Sequence, residues 1–232
     1  MAVSFGSKPT GYNSADGLNQ EAVGATSVSA AAGFSVHASA NLLIGQLAFG
    51  NGASVAAPTG VTMTWAGASM TQEVITSSTS MPNTATSAQY SKASPTTGSN
   101  TLAAAWTTAQ DCYMSAVAFI GAQTNGTTNI TQATALAIPT TSDGGTVACF
   151  AVNGSTPTVD QTKIWAEAPN NPGGGGSYAI GGTTSNTHNF TGAGGTRQVI
   201  TGVTLSATGG AAVFIKMVCN GFRLAGAGGL AS

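Results

Sequence analysis

The chain has 232 residues, carries a formal net charge of −1, and only 6% of its residues are charged, against a usual share near ~25%. So weak a field has nothing to offer phosphate or an anionic lipid surface, so neither nucleic acid nor a membrane is an expected partner. Glycine supplies 32 residues and proline 8; both oppose long helices, which leaves many short strands and frequent turns as the expected organisation.

The N-terminal stretch MAVSFGSKPTGYNSADG lacks a basic region followed by a continuous apolar run, so it does not read as a secretory signal. Residues 1–40 are expected to form an arm with a first strand near 25–29. A β domain should follow over 41–219, with a Gly/Ala-rich tail over 220–232. Within the domain, period-2 alternation bounded by Gly, Pro, Asn or Ser predicts about ten strands, at 42–49, 61–65, 69–76, 87–93, 101–107, 112–120, 146–152, 162–168, 197–205 and 211–219. No helical pattern separates them, and their close spacing favours antiparallel pairing. The expected fold class is therefore all-β, an antiparallel β-sandwich of jelly-roll-like type with Gly-rich loops.

In VTMTW, Val61, Met63 and Trp65 share one face and Thr62 and Thr64 the other, because successive side chains alternate across a strand. The apolar face should point inward, and the following Ala66, Gly67 and Ala68 should turn the chain into a hairpin, with Gly67 at positive φ. Trp65 thus reads as a core anchor. Residues 112–120 are apolar on both faces, with Tyr113, Val117 and Phe119 opposed to Met114, Ala116, Ala118 and Ile120; a central strand covered on both sides is expected.

The tract from 168 to 195 is rich in Gly, Asn and Thr and reads as a long loop. Loops of that length are commonly functional. Trp65, Trp106 and Trp165 each sit inside a strand pattern, which favours core or sheet-interface anchors; if a ligand platform exists, its candidates are Trp165, Tyr178, Asn186 and Asn189 around this loop, since an aromatic face can stack on a sugar ring while amides bond its hydroxyls. At 211–219, Phe214 and Lys216 lie on the same strand face, and the single lysine marks that face for solvent or a partner. Phe214, Lys216 and the nearby Phe222 are the candidate interface residues.

Chemistry-bearing patterns are sparse. The HExxH, P-loop, dinucleotide-binding and GxSxG patterns do not occur; Ser177 in GGSYA comes nearest to the last and lacks its final glycine. His37 and His188 have no carboxylate, Cys or second His at ligand spacing and read as surface histidines. Glu73 and Glu167 could be paired as glycosidase carboxylates only by position in space. Cys112, Cys149 and Cys219 show no CxxC spacing and sit in apolar runs, as buried reduced thiols do, with one disulfide among them left open. No catalytic residue, metal ligand or cofactor is assigned.

The succession ANLLIGQLAFG, VTMTWAGASMTQEVI, SAQYSKASPTTGSNTLAAAW and DCYMSAVAFIGA resembles a β-sandwich domain that recurs in tailed-bacteriophage virion proteins and some bacterial surface proteins. Trp65, Gly67, Met70 and Thr71 match its hairpin, Pro95 and Gly98 its turn, and Val117 to Gly121 its last strand. The resemblance covers Asn41 to Gly121, and the half after Thr146 more loosely. It implies the architecture and a virion setting, and offers no catalytic residue to transfer.

The combined expectation is a non-enzymatic phage structural protein that decorates or cements the head. Its partners would be the major capsid protein and copies of itself, as a homo-oligomer, with a trimer suiting three-fold positions. It would be made in the host cytoplasm and located on the capsid surface. The alternative is a tail-fibre or surface module that binds a glycan or receptor.

Overall fold

The computed structural model describes residues 2–7, 20–50, 56–78, 84–152, 156–167, 173–191 and 197–208. The strand expected at 211–219, the interface candidates Phe214, Lys216 and Phe222, Cys219 and the C-terminal tail lie outside these residues.

The described residues are all-β, with no helix, and every strand pairing among them is antiparallel. A first sheet is built from β1 (Ser4–Ser7), β2 (Gln20–Val36), β3 (Leu42–Gly50), β4 (Thr62–Trp65), β5 (Ala68–Ser69), β6 (Thr71–Ser77), β7 (Thr86–Ala93) and β8 (Gly98–Ile120). Its order is β5-β4-β8-β3-β7-β6, with β1 and β2 along the other side of β8. The two strands expected at 101–107 and 112–120 are one strand of 23 residues. Its first half pairs with β4 and its second half with β3. Because β5 leads directly into β6 at the far end of the order, the sheet curls into a nearly closed, barrel-like form. In the N-terminal segment, β1 and β2 both pair with β8.

The barrel-like sheet encloses one core, around Phe34, Leu43, Leu47, Phe49, Trp65 and Trp106. Trp65 is buried as expected from the hairpin; it meets Phe34 edge-on at 5.3 Å and donates its indole N–H to Thr96 O at 2.9 Å. The hairpin turn has Ala66 at φ 51° and Gly67 at φ 77°, the pair of positive angles that a two-residue type I′ turn requires.

The second half of the chain supplies β9 (Ala122–Thr131), β10 (Ala135–Pro139), β11 (Gly145–Val152), β12 (Thr158–Val159), β13 (Thr162–Glu167), β14 (Gly173–Ile180), β15 (Ser185–Thr191) and β16 (Gln198–Ala207). Five of them form a sheet of order β13-β14-β11-β16-β9, and the other three a small sheet of order β10-β15-β12. The five-stranded sheet packs one face on the barrel-like sheet, chiefly β11 and β14 on β3, and β16 on β6 and β7. Its other face carries the small sheet.

The central strands show why the layers form. Along β3, Leu43, Leu47 and Phe49 point into the barrel while Leu42, Ile44 and Ala48 point at the five-stranded sheet. The second half of β8 does the same, with Cys112, Met114, Ala116 and Ala118 inside and Tyr113, Val117 and Phe119 outside. Every residue of β11 is buried, with Val147, Cys149 and Ala151 toward the barrel and Ala148, Phe150 and Val152 toward the small sheet. A strand apolar on both faces has no stable place except between two layers, and each large aliphatic side chain so buried contributes about 1.5–3 kcal/mol.

The seam between the barrel-like and five-stranded sheets also holds polar side chains that bond across it. Gln46 Nε2 donates to Ala148 O at 2.9 Å, Ser87 Oγ to Cys149 O at 2.9 Å, and Gln89 Nε2 to Thr201 O at 2.9 Å. Buried bonds of this kind favour one lateral register of the layers, which apolar contact alone would leave loose, although Gln89 Oε1 is itself buried without a hydrogen-bond partner.

The tract expected to be a loop over 168–195 holds two strands instead, β14 and β15. The reason lies in the neighbouring strand. Trp165 of β13 pairs with Gly176 of β14, and its ring lies over the bare backbone of the glycine run. A Cβ on Gly174 would stand 2.6 Å from Trp165 Cη2, and one on Gly176 2.5 Å from Trp165 Nε1. Glycine in a strand interior commonly marks such a close approach; here the indole supplies the apolar cover that β14 lacks. The described residues hold sixteen strands rather than about ten, those without a counterpart in the expected set being β1, β9, β10, β12, β14 and β15.

Candidate functional site

The four platform residues do not converge. Trp165 is 0% exposed and donates its indole N–H to Gln46 Oε1 at 2.9 Å in the seam, so its face is not available to a ligand. Tyr178 is half-buried, stacked on Phe5 with ring centroids 5.2 Å apart. Asn186 and Asn189 lie on β15, on the opposite side of the five-stranded sheet from Trp165. Asn186 donates to Gly181 O at 2.8 Å and Thr146 Oγ1 at 3.1 Å. Asn189 donates to Asp160 from its backbone N, at 2.8 Å, and from its side-chain amide. Each amide is committed to holding the chain's own turns.

His188, expected at the surface, is fully buried. It belongs to the inward face of β15 with Phe190, and the alternation Asn186, His188, Phe190 is the signal that would have placed it. Its Nδ1 lies 2.6 Å from Ser177 Oγ on β14 and its Nε2 2.8 Å from Thr146 Oγ1 on β11. A neutral imidazole has one N–H and one lone pair, so one hydroxyl accepts and the other donates, and the ring is satisfied at both nitrogens. Burial lowers its pKa to about 4, against a smaller opposing pull from Asp160. Ser177 and His188 therefore sit as a nucleophile and base would, yet both are 0% exposed. The arrangement can pin the small sheet to the five-stranded sheet; it has no opening through which a substrate could reach Ser177. His37 is exposed, as expected.

Glu73 and Glu167 do not form a pair. Glu73 is on β6, which packs near β9 and β16, and Glu167 on β13, at the opposite edge of the five-stranded sheet. Glu73 Oε1 accepts hydrogen bonds from Ser91 Oγ at 2.5 Å and Thr124 Oγ1 at 3.1 Å. Cys112 and Cys149 are free, fully buried thiols. Burial raises both pKa values, that of Cys149 to about 12, which leaves them protonated and inert at neutral pH. No group of three or more His, Cys, Asp or Glu able to hold a metal occurs among the described residues.

Two surface clefts are lined by described residues. One, of about 290 Å³, runs over the outer face of β2, β8 and β4 and is lined by Ser27, Ser29, Thr62, Thr64, Ala103 and Ala105. The other, of about 280 Å³, opens where the ends of β3, β7, β9 and β16 meet, and it includes Ser91 and Thr124, the two hydroxyl partners of Glu73. Sequence reasoning marked neither, because each is assembled from strands far apart in the chain. No family model matches the chain, and no curated protein or solved structure matches it.

Proposed function

We propose that the protein is a non-enzymatic structural component of a phage virion, made in the host cytoplasm and packed on the capsid surface against the major capsid protein and copies of itself. The observation that carries this reading is the edge of the five-stranded sheet formed by β9. That strand pairs only with β16 among the described residues, has no charged residue along its ten positions, and leaves Ile130 58% exposed. Proteins that remain monomeric blunt such edges with charge, as this chain does at the opposite edge, where β13 carries Lys163 and Glu167. An uncharged edge with an exposed isoleucine suits permanent packing, and the low charge of the whole chain suits it equally. The barrel-like and five-stranded sheets then make an elaborated jelly-roll-like sandwich, and a small homo-oligomer such as a trimer would bring several β9 edges to one local symmetry axis.

The test is quantitative mass spectrometry of particles separated on a density gradient into filled heads, tails and soluble protein. Hundreds of copies tracking with heads are expected. A few copies tracking with tails would favour the second reading, a fibre or surface module that recognises a glycan or receptor. That reading is supported by the polar cleft beside Glu73.

A further inference from the structure

The cleft at the ends of β3, β7, β9 and β16 lies where the barrel-like sheet meets the edge of the five-stranded sheet, and Asn41, Ser91, Ser94, Gln123, Thr124 and Thr208 contribute to its lining. Its walls are tied together. Asn41 Nδ2 donates to Ala122 O at 2.7 Å while Ala122 N donates to Asn41 Oδ1 at 3.1 Å, so one amide clamps the start of β3 to the start of β9. Glu73, behind the lining, joins β7 to β9 through Ser91 and Thr124.

That second tie decides the chemistry of the opening. A hydroxyl has one hydrogen, and both Ser91 and Thr124 give theirs to the same carboxylate oxygen. Both hydrogens are thus spent on Glu73, and these two hydroxyls offer only oxygen lone pairs to anything entering the cleft. Nearby, Ser94 holds a φ of 47°, anchored by its N–H on Asn41 O at 2.8 Å. It also precedes Pro95, which restricts its backbone further. Left-handed backbone at a non-glycine residue is uncommon and clusters at ligand sites.

We propose that this cleft binds a single sugar-sized, hydroxyl-rich ring. Ligand hydroxyls donate to Ser91 Oγ and Thr124 Oγ1, and the exposed amide of Gln123 donates in return. The volume of about 280 Å³ lies just below the ~300–1,000 Å³ typical of drug-sized ligands, room for one ring rather than a chain of them. A divalent cation is the poorer fit, because Glu73 is the one carboxylate beside the described lining and hard cations gather several oxygen ligands with more charge. Without an aromatic face in the described lining, binding is expected in the millimolar range. This deepens the glycan-recognising reading and rests on it only for biological use; particle counting locates the protein, whereas sugar titration tests the cleft, so either can fail alone.

The experiment is saturation-transfer NMR on the full chain with methyl α-glucoside, methyl α-mannoside, methyl β-galactoside and N-acetylglucosamine, followed by titration of the best binder. At least one should show transfer and shift the amide signals of Gln123 and Thr124. Glu73→Gln and Thr124→Val should each weaken it fivefold or more with the folded spectrum retained, while Thr62→Val in the other cleft changes nothing. Absence of transfer from all four sugars overturns the proposal. So does binding that survives both Glu73→Gln and Thr124→Val, or calcium chloride shifting the same amides where the sugars do not.

Discussion

Trp65 and Trp165 are both buried in strands of the same protein, and they are packed in opposite ways. Trp65 sits among side chains, edge-on to Phe34 inside the barrel-like sheet, with its N–H on a backbone carbonyl. Trp165 lies on backbone from which side chains have been removed, over Gly174 and Gly176, with its N–H on the buried Gln46. In the first region an apolar residue finds its partners among other apolar residues, and the alternation of the sequence shows both sides of the contact. In the second, the partner is a glycine strand, which has no hydropathy of its own; only the tryptophan is visible, and its cover is supplied by tertiary structure.

The largest test of this difference compares the two truncations. Trp65→Ala and Trp165→Ala should each cost about 3–5 kcal/mol of unfolding free energy as large core deletions. Trp165→Ala should cost more, because it strands Gln46 Oε1 in the seam, and an orphaned buried acceptor adds about 1–3 kcal/mol. Urea unfolding of both variants measures it, and equal losses would erase the distinction.

Next in size is the acid response of the glycine-rich half. His188 has a folded pKa of about 4 against 6.5 for an unperturbed histidine, so on acidification the unfolded chain takes up the proton first. Its contribution is nil above pH 6.5, turns destabilising as pH falls through that value, and levels off below about 4, for a loss of about 3 kcal/mol. His188→Gln, which does not titrate, should lose correspondingly less between pH 7 and pH 4 in urea midpoints. Parallel curves for the two proteins would mean that the pin between the sheets does not sense pH.

Gly176→Ala should destabilise by about 1–3 kcal/mol through overpacking against Trp165 and Gln46. The loss should shrink in a Trp165→Ala background, because the two residues share one contact; strict additivity in the double-mutant cycle would argue against the indole-on-glycine account. The smallest effect lies in the barrel half. Ala66 holds φ 51°, a left-handed angle costing an alanine about 1–2 kcal/mol, so Ala66→Asn, which builds the favoured Asn-Gly turn, should raise stability by about 1 kcal/mol or less. A drop in the thermal midpoint would show that the turn does not prefer that pair.

Most strands of the barrel-like half were legible because their side chains alternate. Residues 42–49 and 87–93 matched β3 and β7 to within a residue or two, and the double-faced pattern of 112–120 correctly implied a covered central strand. Residues 146–152 were found for the same reason. The glycine-rich strand β14 was not, since turn-forming residues in sequence were strand residues in a sheet that covers them. The candidate sites followed the same rule. Trp165 lies in an expected strand and is core, as its strand pattern favoured, and the platform reading that the neighbouring loop suggested falls once that loop is a strand and His188 moves inward with β15. The Glu73 cleft had no local signal at all, being built from residues 41 to 208.

What the amino-acid sequence determined by itself is the all-β class, the antiparallel pairing and the weak charge, because these follow from short-range alternation, turn chemistry and composition. The tertiary structure alone decided which edge of the five-stranded sheet stays uncharged, which polar side chains bridge the layers, where Trp165 lies and how Glu73 holds two hydroxyls at one opening. Each depends on residues that meet only when separate strands are brought side by side, and a period of two along one strand carries no information about its neighbour.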